Sequence, residues 1–97
     1  MKKVEVIKKS LAQHKKELSS EFGVKQIGVF GSYVRNEQTK NSDADILVEF
    51  DRPVGLFRFM ELEEYLAKLL KTKVDLVSKK ALKPYIGRRI LNEVVYI

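Results

Sequence analysis

The chain has 97 residues, a length that suits one domain over residues 1–97 and leaves little room for a second. It contains no cysteine and one histidine, which excludes a disulfide framework, thiolate chemistry and a histidine-rich zinc site. No apolar run approaches the roughly 20 residues of a membrane helix, and the charged N-terminus lacks the apolar core of a secretory signal. These features predict a cytoplasmic protein without a membrane segment.

The net charge of +6 comes mainly from lysines and arginines near the two ends of the chain. Such a balance attracts polyanions, which include nucleic acid, nucleotide phosphates and acidic partner proteins. Most of the individual lysines need no more explanation than a solvated surface. Charge therefore suggests a polyanionic ligand or an acidic partner protein without identifying it.

The first half of the chain predicts one helix and two strands. Apolar residues recur near a helical spacing over residues 4–22, and Gly23 follows as a stop. Residues 24–30 predict a strand whose nearly continuous apolar end indicates burial on both faces. A Gly-Ser pair then breaks the strand, and we expect a short helical turn through Arg35, a polar loop, and a second strand over residues 43–50.

The second half predicts a long helix, a strand, a shorter helix and a short β-prone tail. The long helix covers residues 56–71, with leucines on one side and glutamates on much of the other. The third strand covers residues 73–78, and Pro84 suits the first turn of a helix over residues 84–92. This order predicts an α/β (α+β) architecture in which helices cover a small sheet.

Three acids lie in the two strands predicted over residues 43–50 and 73–78. Asp43 and Asp45 are two residues apart, so a strand places both side chains on one face, where they repel each other unless a cation neutralises the pair. Asp75 interrupts an otherwise apolar strand and can face the same site if the two strands are neighbours. Three carboxylates on adjacent strands can hold two Mg²⁺ ions, with substrate phosphates as further ligands. Alternatively, Asp43 is only a turn residue or cap, and Asp75 lies at an exposed edge.

The Gly-Ser turn upstream strengthens the metal interpretation. Gly31 allows the backbone to turn sharply and approach a ligand, and Ser32 at the start of the short helix is suited to binding a β- or γ-phosphate. Arg35 lies one helical turn later and is suited either to pairing with phosphate or to a structural salt bridge that holds the acidic loop. Ser32 could also serve as an N-cap.

Together, Gly31-Ser32-x-x-Arg35, Ser42-Asp43-x-Asp45-Ile46-Leu47-Val48 and the later Asp75 resemble the signature of the DNA polymerase β-type nucleotidyltransferase superfamily. Within it, the short length and the spacing from Arg35 to Asp43 resemble the minimal nucleotidyltransferase (MNT) family, over essentially the whole chain. The resemblance implies a mixed sheet flanked by helices. It also implies transfer of a nucleoside monophosphate, usually from ATP, to an acceptor hydroxyl with release of pyrophosphate.

The resemblance further assigns roles to the quoted residues. It implies that Asp43, Asp45 and Asp75 form the catalytic acids and Mg²⁺ ligands, with Asp75 as a candidate general base, and that Gly31 and Ser32 bind the triphosphate. Minimal members often act as antitoxins by adding AMP to a tyrosine of a HEPN-type toxin, which makes such a toxin the expected partner.

Two alternatives to the antitoxin function stay open. The first is a stand-alone transferase for a small molecule or RNA, although the sequence lacks the interleaved aromatic and basic residues of a single-strand binding surface. The second is a non-catalytic antitoxin that neutralises its partner by binding alone. Three retained acids argue against the second alternative, since unused acids near a core lower stability.

Overall fold

The computed structural model describes residues 3–97, apart from the side chain of Ile86. Residues 1 and 2, which belong to the predicted domain and to its basic end, lie outside the described residues. Within residues 3–97, every helix is too short or too polar to cross a bilayer. The helices are α1 Val4–Gln13, α2 Lys15–Phe22, α3 Leu56–Leu70 and α4 Pro84–Glu93, and the strands are β1 Val24–Phe30, β2 Ala44–Phe50, β3 Val74–Ser78 and β4 Val95–Tyr96. Two single 3₁₀ turns, Gly31–Tyr33 and Lys79–Ala81, follow β1 and β3.

The four strands form one mixed sheet in the order β3-β2-β1-β4, which confirms the predicted α/β class. Strand β1 pairs antiparallel with β2 and with β4, whereas β2 and β3 are parallel. A parallel pair requires a crossover connection, and α3 provides it between β2 and β3. As a result, β2 and β3 begin at the same edge of the sheet, where β1 ends.

Helices cover both faces of the sheet, and the alternation of side chains along β2 shows how. Ala44, Ile46 and Val48 are fully buried in the larger core, which also contains buried residues of α1, α2 and α3. Leu47 points to the opposite face and packs with Phe30 and with Ile90 of α4. Asp45 and Leu47 share a face because strand side chains repeat with a period of two. Asp45 therefore lies on the face that α4 covers.

The predicted helix over residues 4–22 is interrupted, which corrects the sequence-based expectation. His14 has φ −109° and ψ 10°, outside helical geometry, and separates α1 from α2. Its Nδ1 lies 2.9 Å from the carbonyl oxygen of Ser10. The buried residues Leu11 and Leu18 are seven positions apart, so the apolar spacing continues across the break and hides it from sequence reasoning.

The remaining elements match the predictions to within one or two residues. Helix α3 ends at Leu70, because Lys71 adopts the left-handed conformation with φ 55°, and β3 begins at Val74. Strand β2 begins at Ala44, so Asp43 precedes the strand instead of opening it. The β-prone tail forms the two-residue strand β4 at the edge of the sheet, beside β1.

Candidate active site

The three predicted acids lie at the end of the sheet where strands β2 and β3 begin. Asp45 and Asp75 are register partners in the parallel β2–β3 pair, and Asp43 lies two residues before Asp45. The strand adjacency that the sequence interpretation required is therefore present. Asp45 also pairs in register with Phe30, the last residue of β1, so the Gly-Ser turn is next to the acids.

Asp45 is the acid most strongly affected by its surroundings. Burial, followed by repulsion from the carboxylates of Asp75 and Asp43, raises its pKa from 3.8 to about 6. Arg35 partly opposes this increase in pKa. Asp43 and Asp75 themselves are exposed, which leaves their carboxylates open to solvent and to ligands. The site thus combines one partly buried acid with two accessible ones.

The acids are near one another but are not gathered into a ready metal cluster. Among residues 3–97, no three acidic, histidine or cysteine side chains stand in an arrangement that could already hold a metal ion. A groove of about 700 Å³ lies elsewhere, lined by residues that include Glu49, Phe59 and Ser78. Glu49 and Ser78 belong to the far ends of β2 and β3, so this groove is separate from the acids.

Gly31 is placed directly against Asp45. Its φ of +79° is a conformation that L side chains rarely adopt, and a Cβ atom there would lie 2.0 Å from Asp45 Oδ2. The predicted sharp turn and close backbone approach are both present, and the group approached is the Asp45 carboxylate. Glycine is required here for two reasons, the backbone conformation and the space.

Ser32 lies inside the 3₁₀ turn that Gly31 opens. Phe30 is the N-terminal flanking residue of this turn, and no side chain caps it, so the alternative in which Ser32 acts as an N-cap is wrong. Ser32 is half-buried. In the described part of the chain, we find no hydrogen bond from its hydroxyl to another protein group, so the hydroxyl is available to a ligand.

Arg35 forms a salt bridge with Glu37, at 2.5 Å, and a second one with Glu93. Hydrogen bonds to these two carboxylates raise the pKa of Arg35 above its usual value. The structural salt bridge that was one of the two sequence interpretations is therefore present, and it joins the loop after β1 to the end of α4. Phosphate binding by the same guanidinium stays a prediction.

Glu93 is a site residue that sequence reasoning missed. It is the last residue of α4, and its carboxylate accepts hydrogen bonds from the Gly31 backbone N–H, at 3.1 Å to Oε2, and from Arg35 through Oε1. It also adds to the repulsion that raises the pKa of Asp45. The only sequence signal was an acid at the end of a helix, where the negative end of the helix dipole disfavours one.

Comparison with known proteins agrees with this geometry. The profile of the family described as nucleotidyltransferase domain matches residues 11–97. The protein adenylyltransferase MntA of Thermococcus cleftensis is 54% identical over 94 residues, which cover 97% of this chain and 95% of that protein.

Two solved structures share the fold. A structure described as a minimal nucleotidyltransferase superposes with a TM-score of 0.75 at 31% identity, covering 92% of this chain and 93% of that one. A toxin-antitoxin structure with AMP-PNP superposes with a TM-score of 0.73 at 26% identity, covering 87% of this chain and 69% of that one. The family match and the identity to MntA show that this chain belongs to the nucleotidyltransferase domain family.

Proposed function

We propose that this chain transfers AMP from ATP to a tyrosine hydroxyl of a HEPN-type toxin and thereby acts as its antitoxin. The observation that carries the proposal is the register pairing of Asp45 with Asp75 beside the glycine turn at Gly31. The relatives support it, since MntA is named as a protein adenylyltransferase and a structural neighbour is a toxin-antitoxin protein with AMP-PNP. The tyrosine and the HEPN fold of the partner come from the MNT resemblance.

The donor set fits Mg²⁺, which prefers carboxylate oxygens and substrate phosphates. Asp45 is destabilised as an anion by burial and by two neighbouring acids, which is the environment that a divalent cation relieves. We propose Asp43, Asp45 and Asp75 as the ligands of up to two ions. The exposed side chains of Asp43 and Asp75 rotate towards the ions as nucleotide binds. Bound Mg²⁺ would supply charge neutralisation for pyrophosphate and would acidify the acceptor hydroxyl.

The protein groups have separate proposed roles in the transfer. The Ser32 hydroxyl and the backbone of the Gly31 turn bind the β- and γ-phosphates and so orient the α-phosphate towards the acids. The acceptor oxygen forms a bond to the α-phosphorus while the bond to the β-phosphate oxygen breaks. Asp75, exposed at the edge, takes the proton of the acceptor hydroxyl, and pyrophosphate leaves. Phosphoryl-type transfer depends mainly on such positioning and charge neutralisation.

We propose that the reaction takes place in the cytoplasm, where ATP is available. The two accessible acids leave the acceptor side of the site open, as a tyrosine carried on another protein requires. Transfer to a small molecule or to RNA, and neutralisation of the toxin without chemistry, are distinguished by the experiment below.

The test is Mg²⁺-dependent transfer from ATP labelled at the α-phosphate. The wild-type chain and the Asp43→Asn/Asp45→Asn variant are incubated with the purified partner, with small hydroxyl compounds and with RNA. We expect label on the partner with the wild type only, while circular dichroism shows both proteins folded. Label on RNA or on a small molecule would replace the proposed acceptor. In cells that express the toxin, full protection by the double variant would contradict catalytic neutralisation.

A further inference from the structure

The carboxylate of Glu93 accepts hydrogen bonds from two donors, the backbone N–H of Gly31 and the guanidinium of Arg35. One of its oxygens accepts from the Gly31 N–H and the other accepts from Arg35, so its two oxygens bridge the turn and the guanidinium. The side chain is 22% exposed, against 63% for Glu37, the other partner of Arg35. Glu93 is therefore the more enclosed of the two acids.

These donors are the kind that bind phosphate. A backbone N–H in a turn and a guanidinium are frequent ligands of phosphate oxygens, and a carboxylate presents oxygens of similar charge and spacing. We infer that Glu93 is a built-in competitor of the nucleotide, a carboxylate that holds the anion site until the triphosphate displaces it. This inference rests on the proposed function, because it assigns the same turn to the phosphates.

Two further observations favour competition over simple bracing. Glu93 is the last residue of α4, where an acid is unfavourable with respect to the helix dipole, so its position is not explained by helix stability. Gly31, which Glu93 binds, also lies against Asp45. Glu93 therefore adds a fourth carboxylate to the three of Asp43, Asp45 and Asp75. A triphosphate in the same turn would repel Glu93 strongly.

The fold allows Glu93 to leave its donors without loss of the helix. Ile90, one turn earlier in α4, packs in the core with Phe30 and Leu47 and anchors the helix to the sheet. Only the side chain of the terminal residue needs to rotate. Glu93 thus sets the affinity for the triphosphate.

The test is calorimetric titration of ATP and of AMP, with Mg²⁺, into the wild-type chain and into Glu93→Gln. The amide retains the size of the side chain but removes its charge. We expect ATP to bind on the order of tenfold more tightly to the variant, a factor typical of one charge-assisted contact, and AMP to change less. Unchanged or weaker ATP binding would overturn the inference. A purely structural role would weaken ATP and AMP together.

The matched control is Glu61→Gln, which removes one charge from the exposed Arg58–Glu61 pair on α3. It should leave ATP affinity within about twofold, so a general gain in positive charge is separated from an effect at the site. Glu93→Ala is a second replacement that should reproduce the gain if the amide variant folds poorly. If the wild type binds ATP and the Glu93 variants bind it no more tightly, only the competition is overturned. If neither the wild type nor any variant binds ATP, the proposed function is overturned as well.

Discussion

Asp45 is held in the folded chain at an energetic cost. Burial and the neighbouring acids Asp75 and Asp43 raise its pKa to about 6 from an ordinary value of 3.8. Because the folded pKa lies above the unfolded one, the folded chain binds more protons between pH 4 and 6, and stability falls as the pH rises through this window. Above the window, the full cost of the charged carboxylate remains. A bound cation would offset it.

The variant Asp45→Asn removes this cost and its pH dependence. In the metal-free chain at pH 7, we expect the free energy of unfolding to increase by about 1 kcal/mol, a value reduced for solvent screening of a half-exposed group. Near pH 4 the variant and the wild type should converge, because Asp45 is protonated in the folded wild type. Urea unfolding in EDTA across this pH range measures both effects.

Asp43→Asn provides the comparison for that experiment. Asp43 is exposed and repels Asp45 less than Asp75 does, so its replacement should change the unfolding free energy by less than about 0.5 kcal/mol at either pH. An Asp45→Asn chain that is less stable than the wild type at pH 7 would show that the carboxylate is held by favourable contacts instead of at a cost.

At the scale of the elements, the site is formed where β1 ends and where β2 and β3 begin. Gly31 follows β1 directly and opens the 3₁₀ turn, and its positive φ directs the chain past Asp45. The parallel register of β2 and β3 then places Asp75 beside Asp45. The geometry of this junction therefore depends on Gly31.

Gly31→Ala should destabilise the chain by at least about 2 kcal/mol, from the left-handed backbone conformation together with the clash against Asp45. Gly55→Ala is the control, because a Cβ atom at Gly55 meets nothing within 4 Å. Gly55 precedes α3 with φ −74°, so alanine there should cost less than about 1 kcal/mol through the weaker N-cap. Thermal unfolding measures both. Equal stability of the two variants would contradict this prediction, because the backbone at residue 31 would then accommodate a Cβ atom without cost.

Local patterns predicted most of the elements and the position of the acids. Strand alternation explains why Asp45 and Leu47 share a face, and the apolar run of β1 correctly indicated burial on both sides. The break at His14 was missed because the apolar spacing continues through it. Glu93 was missed because its contact with Gly31 joins positions 62 residues apart, and no periodicity or motif spacing covers such a pair.

In the whole molecule, a chain with a net charge of +6 places three of its 13 acidic residues together where β2 and β3 begin. Helices α1, α2 and α3 pack on one face of the sheet in the larger core, and α4, which ends at Glu93, packs on the other face. Two of the three acids stay accessible, so an acceptor on another protein can reach them. The single domain over residues 1–97 stays a prediction.

We propose that this chain adds AMP to a tyrosine of its partner and that Asp45 is required for the transfer. The decisive experiment is mass spectrometry of the HEPN-type toxin after incubation with the chain, ATP and Mg²⁺. We predict tyrosine peptides heavier by the mass of one or more AMP units with the wild type, and unmodified peptides with the folded Asp45→Asn variant. Unmodified toxin in both reactions, or equal modification by both proteins, would contradict the claim.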